Sequence, residues 1–256
     1  MAVYDYPFPS YGWQYQGVDF AGITGVSQDL ANAMYEDGIR IVGRYLFASE
    51  YPNGKGISAQ EAQYYINAGL SIFLYYEVNS TDALGGYSVG YQNGLDCLAE
   101  CTRLSVPTGT QIYCCCDTSV SDAQAQGVVM EYLDGFASAL PNYSVGIYGG
   151  QNVVTASYDA SPNSLRCQAG AWGSQEFEPI NVRQWLIANN NATKNDGFIN
   201  IRNITIDSDG YAYWRNNPVD LVSADSIQNM WRDTSPPSPT PIISNKMPIW
   251  MYLKIM

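Results

Sequence analysis

Between residues 15 and 207 the chain alternates short apolar runs with longer amphipathic ones, and this alternation restricts the fold more than any other feature. The runs at 15–20 (YQGVDF), 39–46 (IRIVGRYL), 70–76 (LSIFLYY), 110–116 (TQIYCCC) and 143–148 (YSVGIY) have the length and composition of strands. Helical patterns separate them. Ser27 caps a helix through Tyr35 that Gly38 stops, and Ser58-Ala59-Gln60-Glu61 reads as a capping box opening a helix that stops at Gly69. Tyr91, Leu95, Leu98 and Thr102 mark a helix over 87–104. Val128, Tyr132, Leu133 and Phe136 mark another over 121–140, ended by Pro141, and a further helix follows Gly149-Gly150. Shorter strands are expected at 167–172, 181–186 and 203–207.

Strands joined through helices pair in parallel by right-handed crossovers. Eight strands in about 200 residues stand near the lower size limit of a (β/α)8 barrel. The expected fold is therefore α/β, a TIM-like (β/α)8 barrel, reduced or irregular in its last third, where full helices are missing between strands. An open flavodoxin-like sheet is the rival, but it needs only about five strands and leaves the last three unexplained. The expected organisation is an N-terminal arm over 1–14, a barrel over 15–232, and an extended tail over 233–256. In that tail Ser235-Pro236-Pro237-Ser238-Pro239-Thr240-Pro241 forms a stiff connector. The fifteen residues from Ile242 to Met256 are too few for a domain and suit either docking to another chain or folding back.

Composition then narrows the chemistry. Twelve Lys and Arg stand against twenty-four Asp and Glu, a net charge of −12, so no nucleic-acid partner and no anionic membrane surface is expected. The chain has no histidine, which excludes a Ser–His–Asp triad, a Cys–His pair and a His-ligated zinc. Acid–base work falls to carboxyls. The six cysteines read as buried small hydrophobes, with Cys115 on one strand face and Cys114 and Cys116 on the other. No metal and no cofactor is expected. Neither a signal peptide nor a membrane-spanning run is visible.

The acids fall where strands end. Asp19 closes the first run, Glu77 follows the third, Asp117 follows the fourth, and Asp207 closes the run at 203–207. In an α/β barrel all carboxyl ends meet on one face, which carries the site. Convergent carboxyls polarise one another until one is protonated and another ionised, which is what glycosidic hydrolysis needs. Arg44 on the second run is a candidate substrate clamp or a rim salt bridge. Tyr45, Tyr75, Tyr148, Trp172 and Trp185 crowd the same ends, suited to stacking on sugar rings or to core packing. Alternation adds one condition: if Glu77 faces the mouth, Tyr75 does too, and Tyr76 packs on the helices.

These stretches resemble the glycoside-hydrolase-like domain of the Rv2525c type, found in actinobacteria, other Gram-positive bacteria and their phages. The resemblance rests on GVDF (17–20), GIRIVGRYL (38–46), KGISAQEAQYYINAGLSIFLYYE (55–77), GYQNGLDCLAECTRLSVPTGTQIYCCCD (90–117), YSVGIYGG (143–150), AGAWG (169–173) and ITIDSDG (204–210). It implies a TIM-barrel-like fold related to the family 25 glycoside hydrolases, which are peptidoglycan muramidases. It points to Asp19, Glu77, Asp117 and Asp207 as the acids, with Arg44 beside them. Family 25 relatives carry Asp-x-Glu after the fourth strand, whereas here Asp117-Thr118-Ser119 puts Ser119 in the place of the acid. Either Glu77 supplies the proton donor, with Asp117 as nucleophile or charge stabiliser, or the domain binds glycan without cleaving it.

Two expectations follow. One is a cell-wall glycan hydrolase of the lysozyme or endolysin kind, with Asp19 and Asp207 holding substrate. The other is a catalytically silent glycan-binding or virion protein, docked through its C-terminal tail and acting at the cell wall from the virion or after release.

Overall fold

A computed structural model describes residues 2–3, 13–161, 163–170, 179–185, 201–209 and 211–233. Trp172, most of the expected tail and part of the 167–172 run lie outside these residues.

Seven parallel strands follow one another around a barrel: β1 (Tyr15–Asp19), β2 (Ile41–Glu50), β3 (Ser71–Tyr76), β4 (Gln111–Cys115), β5 (Ser144–Gly149), β6 (Leu165–Gln168) and β7 (Val182–Trp185). Five helices among the described residues cover it: α1 (Gln28–Glu36), α2 (Ala59–Asn67), α3 (Gly86–Leu104), α4 and α5 (Gln151–Ala160). Helix α4 runs through Asp122–Gln124, a π-helical stretch Ala125–Val129, and Met130–Ala139.

The eighth strand differs from expectation. The run at 203–207 becomes β8 (Ile204–Ile206), which lies outside the barrel and pairs antiparallel with β9 (Ala212–Trp214). A two-residue turn at Arg215 and Asn216, with φ of 47° and 69°, reverses the chain into β10 (Asn217–Ala224). A strand entered through a hairpin has to run antiparallel to its partner. β10 lies antiparallel to both β1 and β7 and closes the barrel, which is thus eight-stranded and mixed.

Strand alternation sorts side chains into two layers. Ile41, Phe73, Tyr113, Cys115, Val182 and Val222 fill the lumen, while Val18, Val42, Ile72, Leu74, Cys114, Cys116 and Ile147 pack under the helices. The expected split of the Cys114–Cys116 run is thus observed. The chain beyond β10 closes the floor: Gln111 N–H donates to Asn229 O at 2.6 Å, Trp231 bridges Ile72, and Met230 enters the lumen cluster. Among the described residues no helix is long and apolar enough to cross a membrane.

One cap differs too. Ser58 Oγ accepts the Glu61 N–H at 3.0 Å, but the Glu61 carboxylate does not return to Ser58. It turns instead to Arg44. The reciprocal box forms at Ser121 and Gln124, at the head of α4.

Candidate active site

The carboxyl ends of the strands gather four acids. Asp19, the last residue of β1, is 3% exposed and stands in register with Asp220 of β10. Gly43 of β2 makes the room: a Cβ there would lie 2.5 Å from the Asp19 Cβ and 2.5 Å from the Phe73 ring. Tyr75 O–H donates to Asp19 Oδ2 at 2.8 Å, and Gln184 Nε2 donates to both its oxygens at 3.3 Å. Burial, and then the neighbouring Asp220, push the Asp19 carboxyl well above the usual carboxylate range. Burial raises Asp220 as well, against a hydrogen bond from Asp19.

Glu77, one residue past β3, pairs with Lys55 Nζ at 2.8 Å. The Lys55 ammonium also sits over the rings of Tyr45 at 4.8 Å and Phe47 at 6.0 Å. Asp117 completes the group. Burial raises its carboxyl, the Glu77 charge raises it further, and Lys55 opposes both. Among the described residues no cluster of three or more His, Cys, Asp or Glu is arranged to hold a metal ion.

Tyrosines wall this group. Tyr45 and Tyr75 have ring centroids 5.3 Å apart, and Tyr75 and Tyr148 meet edge to face at 5.4 Å. Tyr148 O–H donates to Gln184 Oε1 at 2.9 Å. Burial first, with nearby acids adding, pushes the Tyr45 and Tyr148 phenols up, so they remain neutral donors at neutral pH. The alternation condition holds: Tyr75 is in the lumen cluster, while Tyr76 packs under the helices, 5.7 Å from the Phe136 ring.

The structure therefore brings together Asp19, Glu77, Asp117, Tyr45, Tyr75 and Tyr148. Three other expectations are corrected. Arg44 is fully buried and points to the helix side, because Gly43 and Tyr45 on either side of it face inward. It pairs with Glu61 at 2.6 Å and donates to the carbonyls of Phe20, Ala21 and Lys55, which leaves nothing to clamp a substrate. Trp185 also faces outward, since Gln184 takes the inward place, and its Nε1 donates to Ser223 Oγ at 3.0 Å. Asp207 sits in the outer hairpin, where it accepts the N–H groups of Asp209 and Tyr211 and the Tyr213 hydroxyl, a turn-forming role.

Sequence reasoning missed Asp220, Gln184 and Lys55. Asp220 lies on a strand that was not expected at all. Alternation around Trp185 offered a signal for Gln184, and Lys55 had none, being a loop residue. Ser119 is exposed, and its hydroxyl makes no hydrogen bond to the acids among the described residues.

Comparison with known proteins gives the lineage. The model of the Rv2525c-like, glycoside hydrolase-like domain matches residues 32–210. Structurally, the chain is similar to the Tat-secreted protein Rv2525c of Mycobacterium tuberculosis, solved in complex with HEPES, at TM-score 0.63 and 21% identity, covering 85% of this chain and 98% of that one. An uncharacterised B. stearothermophilus protein aligns at TM-score 0.55 and 17% identity over 85% of this chain and all of the other. These identities establish shared fold. In sequence, the uncharacterised protein YbfG of Bacillus subtilis (strain 168) is 25% identical over 158 residues, which is 54% of this chain and 21% of that relative's length. The chain belongs to the Rv2525c-like, glycoside hydrolase-like domain family.

Proposed function

We propose that this domain hydrolyses a cell-wall glycan, with peptidoglycan as the substrate class, by paired-carboxyl chemistry. One observation carries the reading: two carboxyls in one mouth have opposite environments. Glu77 is ion-paired with Lys55, while burial and the Glu77 charge favour the protonated form of Asp117. This reverses the roles expected from sequence, because an ion-paired carboxylate has no proton to give. Asp117 donates its proton to the leaving glycosidic oxygen. Glu77 leaves Lys55 to attack the sugar's anomeric carbon or to activate water. Tyr45, half-buried at the mouth, offers its ring and neutral hydroxyl to the sugar, Tyr75 and Tyr148 hold Asp19 and Gln184 in place through their own hydroxyls, and the Asp19–Asp220 pair holds hydroxyls below it. A carboxyl separation of about 5 Å in the complex corresponds to retention and about 6.5–9.5 Å to inversion, so the anomer released reports the mechanism.

The test is reducing-end release from purified peptidoglycan. The wild-type domain is expected to release ends, and Glu77→Gln and Asp117→Asn to lose about 10²–10⁴-fold in rate while remaining folded. Retention of glycan with no release by the wild type favours the second reading, a glycan-binding domain without turnover. Ser119 in the acid's place motivates that alternative. In it, residues 242–256 would dock the domain to another chain, such as a virion subunit.

A further inference from the structure

A cleft opens on the face of the barrel that carries the acid group. Helices α4 and α5 both begin at the carboxyl ends of their preceding strands, so their first turns stand on the same face as Asp117. Between these turns is a cleft of about 310 Å³ lined by Asp122, Gln126, Gln151, Asn152, Thr155 and Ala156. Five of the six linings carry hydrogen-bonding side chains. Two of them are already engaged: Asn152 Nδ2 ties the walls together by donating to Val120 O at 2.8 Å and to Asp122 Oδ1 at 3.3 Å, and Thr155 O–H donates within its own helix to Gln151 O. The carboxamides of Gln126 and Gln151 make no hydrogen bond with the described residues. Each offers one carbonyl acceptor and two N–H donors.

The wall that carries Gln126 is the π-helical stretch Ala125–Val129, and that stretch packs against α5. A π turn is a rare form that concentrates at functional sites. Here it falls on the segment that presents Gln126 to the cleft.

Two carboxamides with no hydrogen bond to the described residues, one from each wall of a cleft that Asp122 also lines, match a secondary amide. Its carbonyl takes a carboxamide N–H, and its N–H goes to a carboxamide carbonyl or to Asp122. An anion is disfavoured by Asp122, and none of the described lining residues is Lys or Arg. An apolar group would use neither carboxamide. We infer that the α4–α5 cleft is a subsite for an amide-bearing arm of the polymer whose backbone lies across the acids. This inference rests on the glycan reading above. A cell-wall glycan offers the amide from two sources, the acetamido group of its sugars and the peptides attached to it, and the chemistry of the cleft is common to both.

Two measurements separate this inference from the reading beneath it. The first follows the side-chain amide NMR signals of Gln126 and Gln151 while N-acetylglucosamine, an N-acetyl dipeptide amide, or glucose is added. Shifts with either amide and none with glucose support the subsite and name the source, even if no wall polymer binds. The second compares retention on intact wall, on wall stripped of peptides and on de-N-acetylated wall. Gln126→Ala/Gln151→Ala and the cleft-filling Thr155→Trp are expected to lose about tenfold on intact wall and to match the wild type on the wall that lacks the recognised amide. Amide signals unmoved by every probe, or variants that bind all three walls as the wild type does, overturn the inference while leaving glycan binding at the acids intact.

Discussion

Asp19 and Asp220 face each other across the antiparallel seam where β10 closes the barrel, and they hydrogen-bond carboxyl to carboxyl. Both carboxyls are held above their usual range, mainly by burial. The folded state therefore keeps protons that the unfolded chain has released. Stability from this pair is fully present below the unfolded carboxyl pKa and declines as pH rises through the folded values. Thermal melts are expected to show Tm falling from mildly acidic to neutral pH. Asp220→Asn, which removes the like charge beside Asp19, is expected to flatten that fall. Each kcal/mol recovered corresponds to about 2–4 °C in a domain of this size. An unchanged slope in the variant would remove the pair as its source.

Glu77 raises the Asp117 carboxyl through its charge. If Asp117 is the proton donor, activity is lost as pH rises past its pKa, which sets the alkaline limb of the profile. Glu77→Gln removes the raising charge, so in its residual activity that limb is expected at lower pH than in the wild type. Where residual turnover is too slow, carboxyl-carbon NMR of Asp117 reports the same displacement. A limb or titration that stays in place assigns the proton to another group.

Lys55 acts in the opposite direction on the same carboxyl. Replacing it with Met leaves Glu77 without its 2.8 Å partner and Asp117 without the cation that lowers it. The alkaline limb is expected to move to higher pH in Lys55→Met and to return in Lys55→Arg, which keeps the charge. Loss of packing alone would alter stability in both variants without separating their pH profiles.

The legible part of the fold was its periodic part. Seven barrel strands follow apolar runs of strand length, and Ser27, Ser58, Gly38 and Gly69 act as helix punctuation where the sequence places them. The eighth strand was hidden by its turn. Arg215 and Asn216 adopt left-handed φ without the Asn-Gly or Asp-Gly pair that announces such a hairpin, so the sequence does not announce β10, and the acid standing in register with Asp19 is Asp220 rather than Asp207. Strand-end position anticipated that Asp19, Glu77 and Asp117 come together, because a barrel converges its carboxyl ends. It failed for Arg44 and Trp185 because facing depends on register: a one-residue step turns a side chain from lumen to helix layer.

Arg44 gives the sharpest separation between structural and functional roles. Its guanidinium is 0% exposed and spans from the Glu61 carboxylate of α2 to the carbonyls of Phe20 and Ala21, tying two βα connections together beneath the mouth. Arg44→Met leaves Glu61 buried and without its ion-pair partner, with Tyr65 O–H as its remaining side-chain donor at 2.9 Å. Breaking a buried pair from one side costs about 3–5 kcal/mol, whereas replacing both members with apolar groups of similar volume is often neutral. Urea unfolding is therefore expected to show a large loss in Arg44→Met and recovery of most of it in Arg44→Met/Glu61→Leu. Glycan binding per folded molecule should be unchanged in the double variant, since neither side chain reaches the acid group. A double variant as stable as the wild type but unable to bind would return Arg44 to the mouth.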